Sequence, residues 1–506
     1  MFNITFSSPH SRIHSLSFRK TKIVATIGPA SWDEDKLQAL IKAGMNVARL
    51  NFSHGTFEQH QSTVEKIRKL SSDLHAPVGI LQDLQGPKIR LQSFEGEREL
   101  ESGQKIIVTG KGSKDDEKYI VDIDHLSQFV EVGQAIFIDD GIIELKVTDK
   151  KGEDLHCEVI HGGLVRGRKG VNLPDANLPI ESMTAKDIAD LEAGAALGFD
   201  YVALSFVRTK DDIKKLKKRL KELGSHSRVV AKIEMKEAIK NIEGIIDESD
   251  AIMIARGDLA VEIGQVHLPV VQKKITKLCN RKGKPVITAT QMLDSMQHNS
   301  RPTRAEITDV ANAVLDGSDA LMLSGESAFG NYPVRSVQTM HDIIMEVEKQ
   351  PGIYYKFKNR RPDRPTVPDT IAMSAVTCSE QLQARTIVCL STTGKTAQMI
   401  SKYRPKAKLI AATSEKEALS RLELCWGIQT LQIDRYSNIE EAFSQIEGLL
   451  IGHGIIKEGD YVVLTLGLPV LEGQKTNSLR VFTVGKEQAQ TKYKKGKKPI
   501  RFFAEQ

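Results

Sequence analysis

The sequence carries few of the marks of a secreted, membrane-spanning or nucleic-acid-binding chain. Its five cysteines, Cys157, Cys279, Cys378, Cys389 and Cys425, are scattered, with no CxxC and no paired histidine ligands. Their spacing excludes a disulfide framework or a structural zinc site and points to a reducing compartment. No uninterrupted apolar run approaches the roughly 18 residues that span a bilayer, so a soluble, cytoplasmic protein without membrane partners is expected. An excess of one charge is missing too. The 71 basic and 65 acidic residues are mostly interspersed and leave a formal net charge of +6. That balance suits a protein handling small anions better than one dedicated to nucleic acid. Acidic residues are absent before Asp33, and residues 1–20 read as a flexible leader rather than a targeting signal.

What is present is apolar material for several cores: 40% of the 506 residues are hydrophobic, enough for two to four domains. Strand-like runs begin at Lys22 (KIVATIG), Met45 (MNVARLNF), Val78 (VGILQDL), Tyr201 (YVALSF), Arg228 (RVVAKIE), Ala251 (AIMIARGDL), Pro285 (PVITAT) and Asp319 (DALMLSG). Between most of them lie helix-like stretches such as Asp33–Ala43, Lys186–Leu197, Asp211–Leu223 and Thr303–Leu315, with stops at Gly44, Gly198, Gly224 and Gly317. Eight near-continuous apolar strands alternating with helices predict an α/β fold, a parallel (β/α)8 barrel at residues 21–86 and 185–350. One long gap separates the third strand from the fourth. Short β-like runs at Ile106–Thr109, Ala135–Ile138, Ile142–Val147 and Leu155–Val159 place a small β-barrel domain there, at residues 87–184. A Pro- and charge-rich linker at 351–366 then precedes a second α/β alternation at 367–485, and a basic, aperiodic tail occupies 486–506.

The chemistry is expected at the C-terminal ends of the barrel strands, which converge on one mouth. Those ends are rich in polar residues. They offer Arg49, Asn51, Ser53 and His54, then Asp83 followed by Lys88 and Arg90, then Ser205, Lys232 and Glu234. Arg256, Gly257, Asp258, Thr288, Thr290, Ser324 and Glu326 complete the ring. Lys232 and Glu234 lie two apart in RVVAKIE and so share one face of a strand. Glu234 and Asp258, on adjacent strands, can hold a hard divalent cation with open positions for water or substrate oxygens, so magnesium or manganese fits and zinc does not. Arg49, Arg90 and Lys232 supply fixed positive charge suited to a carboxylate, a phosphate or an enolate. Phosphoryl transfer needs this kind of neutralisation and positioning, without a protein nucleophile.

RLNFSHG from Arg49, AKIE from Ala231, MIARGDLAVEI from Met253, PVITATQMLDSM from Pro285 and the long run RPTRAEITDVANAVLDGSDALMLSGESAFGNYP from Arg301 resemble pyruvate kinase. The likeness runs from about Thr21 to Val484. It implies transfer of a phosphoryl group from phosphoenolpyruvate to ADP, through a metal-stabilised enolate, giving pyruvate and ATP. The inserted domain is then a lid and the C-terminal domain an allosteric one, in a homotetramer. The resemblance implies that Lys232 contacts the transferring phosphoryl group, Arg49 bridges the phosphates of both substrates, and Glu234 and Asp258 hold the metal. Amides around Gly257 and Asp258, with Thr290, are implied to bind the substrate carboxylate. Thr290, through water and Ser324 or Glu326, is placed near the face where the enolate is protonated. Arg90, Lys169 and His54 are implied to reach the nucleotide.

The chain departs from the common family pattern at the monovalent-cation site. Asn51, Ser53 and Asp83 match residues that hold potassium in many members, but Leu84 stands where threonine is usual and Lys88 where potassium-dependent members carry glutamate. A lysine ammonium can supply the missing charge, so activity without potassium is expected. In the C-terminal domain Ser391, Thr392, Thr393, Gly394, Lys395 and Thr396 form a Ser/Thr/Gly-rich loop opening a helix, a place for a phosphorylated effector. The segment from Thr465 lacks the Trp–Arg arrangement that grips a second phosphate in some members, which favours a monophosphate. Among rival readings, a dikinase needs a phosphohistidine carrier segment that is not evident, and the lysine-rich tail reads as solvated rather than as a polyanion site.

Overall fold

Strands that are apolar on both faces need cover on both sides, and a closed barrel ringed by helices provides it. In a computed structural model of the chain, which describes residues 18–113, 115, 117–176, 178, 181–350, 365–469 and 475–485, the first three such strands are β1 (Lys22–Ile27), β2 (Val47–Asn51) and β3 (Gly79–Asp83). The expected linker at 351–366, leader at 1–20 and tail at 486–506 fall wholly or mostly outside the described residues.

After β3 the chain enters the inserted domain. Its strands are β4 (Glu97–Leu100), β5 (Lys105–Thr109), β6 (Tyr119–Ile120), β7 (Ala135–Ile138), β8 (Ile143–Lys151), β9 (Asp154–His161), β10 (Gly163–Arg166) and β11 (Val171–Asn172). β4 and β10 pair as a ribbon, and the other six form one sheet in the order β11-β7-β8-β9-β5-β6. Alternate burial along β8 and β9 turns Leu145, Val147, Leu155, Cys157 and Val159 into a core made of this domain's own residues.

The chain returns to the barrel through a helix, Ala185–Ala195, started by a reciprocal Thr184–Asp187 capping box. It then adds β12 (Tyr201–Leu204), β13 (Arg228–Ile233), β14 (Ala251–Ala255), β15 (Val286–Ala289) and β16 (Ala320–Leu323). The eight strands close in the order β1-β16-β15-β14-β13-β12-β3-β2, all parallel. Register sets the mouth: Thr26 lies opposite Arg49, Asn51 opposite Asp83, and Lys232 opposite Met253. One expected strand is shorter than its sequence suggests. AIMIARGDL leaves the sheet at Ala255, and Arg256–Ile263 is a helix with Asp258 in its first turn.

The C-terminal part is a second compact unit. Its strands β17 (Thr386–Leu390), β18 (Lys408–Thr413), β19 (Ile428–Gln432), β20 (Tyr461–Leu466) and β21 (Ser478–Thr483) lie in the order β19-β18-β17-β20-β21, with β21 antiparallel. Helices Val367–Gln381 and Lys395–Ser401 cover one face and Ile439–Gly452 the other. No helix among the described residues is long and apolar enough to cross a membrane.

Candidate active site

Side-chain alternation brings charges from β2, β3 and β13, and hydroxyls from β1 and the end of β12, together at the barrel mouth. Lys232 Nζ lies 3.0 Å from Glu234 Oε1 and 3.3 Å from Asp83 Oδ1, and donates to Ser205 Oγ at 2.7 Å. Ser205 Oγ in turn donates to the Leu84 carbonyl at 2.7 Å. On the other side of Asp83, Arg49 Nε donates to Oδ2 at 2.6 Å and Arg49 Nη1 donates to Thr26 Oγ1 at 2.9 Å. Thr26 passes the chain on to the Leu323 carbonyl at 2.8 Å. Two cations and two anions thus balance in a site almost closed to water, which is what makes their burial tolerable. Burial alone disfavours the charged Lys232, but Asp83 and Glu234 outweigh it and push its pKa up. Burial likewise works against the Asp83 carboxylate, and Lys232 with Arg49 overcomes it and holds its pKa down. Asp83 Oδ1 is buried without a well-formed hydrogen bond, and the Lys232 ammonium is the cation beside it.

Glu234 is 1% exposed and accepts from the Phe206 backbone at 2.8 Å through Oε2. Burial raises its pKa, the Lys232 ammonium opposes that, and the Asp258 carboxylate adds to the rise. Two carboxylates that repel each other beside an open mouth fit a divalent cation, which relieves both desolvation and repulsion. No cluster of three or more His, Cys, Asp or Glu side chains able to cage a metal occurs among the described residues. The donor set therefore leaves most coordination positions to water and substrate oxygens, as hard cations at phosphate-handling sites require.

Thr290 directly follows β15 with φ at 70°, and Gln291 comes next with φ at 51°. Left-handed backbone is costly for a β-branched residue and persists only where neighbours impose it. Arg256 does so. Its guanidinium donates to the carbonyls of Ala289 at 3.2 Å and Thr290 at 2.6 Å, and is itself held by Asp309 at 2.9 Å. The Gly257 N–H donates to Thr290 Oγ1 at 2.9 Å, and that hydroxyl donates to Ala289 O at 2.6 Å. Gly257 and Asp258 thus sit in the first turn of a helix, with the Gly257 amide on Thr290. Glu326 accepts from the backbone N–H groups of Ser324 at 2.7 Å and Leu293 at 3.1 Å. Its burial raises its pKa. The Glu326 carboxylate braces two loops, and Ser324 lies at the end of β16 with its amide in that brace.

The residues of the inserted domain are only partly brought together. Arg90 Nη1 donates to the Arg168 carbonyl at 3.1 Å, and Lys169 Nζ pairs with Asp139 at 2.9 Å. Lys88 Nζ lies 3.8 Å from Asp258 and 3.9 Å from Asp140, so its ammonium faces the divalent pair rather than Asp83. Asn51 Oδ1 accepts from the Ser53 N–H at 3.2 Å, and the His54 N–H donates to Asn51 O at 3.1 Å, leaving the His54 side chain exposed. Glu262, one helical turn beyond Asp258, lines a crevice together with Lys88, Leu173 and Met235. Burial pushes its pKa up to about 7.

In the C-terminal unit, Gly394 has φ at 76° and its N–H donates to Ser391 Oγ at 3.1 Å. Thr392, Thr393 and Lys395 are exposed, whereas Thr396 turns inward onto Thr476. That hydroxyl pair takes Thr396 away from the loop surface on which sequence placed it.

Sequence left Thr26 unnamed and gave Ser205, Arg256 and Asp309 no role. Thr26 could have been found from strand register, since it lies directly beside Arg49 on the neighbouring strand.

Residues 18–337 match the family described as pyruvate kinase, barrel domain, and residues 369–482 match pyruvate kinase, alpha/beta domain. A pyruvate kinase of Geobacillus stearothermophilus is 43% identical over 472 residues, spanning 92% of this chain and 80% of that protein. One of Bacillus licheniformis is 43% identical over 476 residues, spanning 92% and 81% respectively. A crystal structure of a pyruvate kinase from Cryptosporidium parvum is similar with a TM-score of 0.87 at 36% identity, covering 92% of this chain and 97% of its own. With both parts matched and relatives aligned over most of its length, the chain belongs to the pyruvate kinase family, phosphotransferases that pass the phosphoryl group of phosphoenolpyruvate to ADP to give pyruvate and ATP.

Proposed function

We propose that Lys232, Arg49, Thr290, Glu234 and Asp258 carry this phosphoryl transfer, and the observation that carries the reading is the Lys232 ammonium held at 3.0 Å from Glu234 beside a two-carboxylate pair. Arg49 and Lys232 bind and orient the phosphoryl group while a nucleotide β-phosphate oxygen attacks it. The new P–O bond forms as the bond to the enol oxygen breaks, and the electron pair stays on that oxygen as an enolate. Neither cation needs to give up a proton, so both neutralise charge from substrate to product. The Gly257 amide and the Thr290 hydroxyl orient the substrate carboxylate. Thr290 lies at the face where the methylene carbon of the enolate takes a proton, by way of water and Ser324, and Glu326 holds that loop in place. Divalent-metal dependence follows from the family. Glu234 and Asp258 would hold magnesium or manganese, which when bound would add positive charge against the anionic substrate.

His54, Arg90 and Lys169 take the nucleotide. Asn51, Ser53 and Asp83 form the monovalent-cation site, and Lys88 stands in for potassium, so turnover proceeds without that ion. The working division is a barrel at 21–86 and 185–350, a lid at 87–184 and a regulatory domain at 367–485. A phosphorylated effector, a monophosphate, binds the loop Ser391–Lys395, in a cytoplasmic homotetramer. A coupled assay for pyruvate formation from phosphoenolpyruvate and ADP tests the reading. Wild type is expected to turn over and Lys232→Met to lose nearly all of it; equal rates in the two would overturn it.

A further inference from the structure

The loop after β2, Phe52 to Gly55, carries two of the residues to which the proposed reading gives work, Ser53 and His54. Its backbone has no partner strand of its own. It is held from outside. The Phe52 N–H donates to the Asp83 carbonyl at 3.0 Å, and the Phe52 carbonyl accepts from Lys186 Nζ at 2.7 Å. The far end of the loop rests on two side chains in the first turn of the helix Phe57–Asp73, His60 and Gln59, and of these His60 reaches the His54 carbonyl.

His60 makes three contacts with that loop. Its ring stacks on Phe52, with centroids 4.1 Å apart and planes 14° from parallel. Its Nε2 lies 3.0 Å from the His54 carbonyl oxygen. A carbonyl only accepts, so Nε2 carries the hydrogen and the tautomer is fixed. Third, the ring edge fills the space beside Gly55, where φ is 84° and a Cβ would come within 3.3 Å of Nε2. Burial lowers the His60 pKa, which keeps the imidazole neutral around pH 7. A flat ring of this size with a donor at its tip meets all three demands. Phenylalanine meets the stacking alone, and glutamine places a donor near the Nε2 position without the ring.

We propose that His60 is a positioning residue for the nucleotide, fixing the Phe52–Gly55 loop so that His54 is presented to ADP. The inference rests on the reading that His54 contacts the nucleotide. It assigns His60 no contact with substrate.

The test is steady-state kinetics on His60→Phe, His60→Gln and His54→Ala, with melting temperatures on the same samples. His60→Phe keeps the stack and loses one hydrogen bond, so KM for ADP is expected to rise about five- to tenfold. KM for phosphoenolpyruvate and the melting temperature should stay near wild type. His60→Gln restores the donor and should bring KM for ADP back to within about threefold of wild type. An unchanged KM for ADP in His60→Phe, with a raised one in His54→Ala, overturns the His60 assignment and leaves the His54 reading standing. Equal rises in both KM values, or a melting temperature that falls in step with them, mark ordinary structural support and also overturn it. If His54→Ala leaves KM for ADP unchanged, the reading beneath the proposal fails and the assignment goes with it. Should His60→Phe not fold, His60→Gln against His54→Ala decides: a KM for ADP in His60→Gln as high as in His54→Ala overturns the assignment.

Discussion

Arg256 donates to the Thr290 carbonyl at 2.6 Å, and the next residue's N–H donates to the Thr290 hydroxyl at 2.9 Å. One short stretch of helix therefore grips both the backbone and the side chain of a residue in the left-handed region. Arg256 reaches the backbone of Ala289, Thr290 and Gln291, so a change there would be felt through Thr290. Arg256→Lys keeps the charge but loses the fork that reaches several carbonyls at once. KM for phosphoenolpyruvate is expected to rise by roughly tenfold, the cost of about one or two hydrogen bonds. KM for ADP should move little. Initial rates with each substrate varied in turn check this split.

Lys232→Met leaves Asp83 and Glu234 facing each other with Arg49 as their remaining cation. The turnover number is expected to fall by about 10²–10³ or more, the usual loss when one preorganised electrostatic group is removed. Breaking a buried charge set also costs stability, on the order of 3–5 kcal/mol. The two effects separate by experiment. Rates report the first, and denaturant melts without substrate report the second.

Lys88 should make potassium dispensable. With tetramethylammonium as the sole monovalent cation, wild type is expected to keep most of its rate. Lys88→Glu removes the ammonium and adds a charge of opposite sign near Asp258, so its rate should drop about a hundredfold and recover with potassium. Near-total dependence of the wild type on potassium would count against the substitution.

Glu262 predicts an unusual slope of stability with pH. Its folded pKa is raised to about 7, above the ordinary glutamate value of about 4.3, so between those values the folded state holds a proton that the unfolded chain releases. Stability from this group is full below about pH 4.3 and declines as pH rises through about 7. The full difference is on the order of 4 kcal/mol. Glu262→Gln should flatten the curve over that window and exceed wild type in stability at pH 8. Urea melts at pH 5, 6, 7 and 8 would show it, and superimposable curves for the two proteins would refute it.

Thr393→Glu places a carboxylate on the exposed part of the effector loop. Calorimetric titration with AMP and with sugar monophosphates should show binding to wild type and at least a tenfold loss in the variant, since like charges repel at close range. Unchanged binding in the variant removes this loop from consideration.

Much of the barrel was legible because its strands announce themselves by composition. Eight apolar runs of the right length, bounded by polar ends, have few other folds open to them. Arg49, Lys232 and Glu234 could be expected together for a related reason: alternation puts each at the mouth end of a strand, and the motifs around them, as around Asp258, resemble one family. What stayed hidden depends on distances that local sequence does not encode. AIMIARGDL reads as one strand, yet Arg256 starts a helix, where its guanidinium reaches the next strand's carbonyls. Glu326 looks like a free carboxylate until the fold aims two backbone amides at it. His60 gives no signal at all. It sits in an ordinary helix start, and only the return of the loop onto its ring makes it special.

The barrel closes by pairing β1 with β16, Lys22 opposite Ala320. That pairing joins strands roughly 300 residues apart, across the whole inserted domain. During synthesis, a ribosome adding about 5–20 residues per second needs some 15–60 seconds between making the two strands. Throughout that interval Thr26 lacks its acceptor on β16, and the half-built sheet has two open edges. The charges of Arg49, Asp83, Lys232 and Glu234 lie on β2, β3 and β13 and can meet earlier, but the link from Thr26 to the Leu323 carbonyl forms only after the ring is shut. Nascent chains halted before Ala320 should therefore bind chaperones and show no turnover, and activity should appear as a step when the last strand emerges.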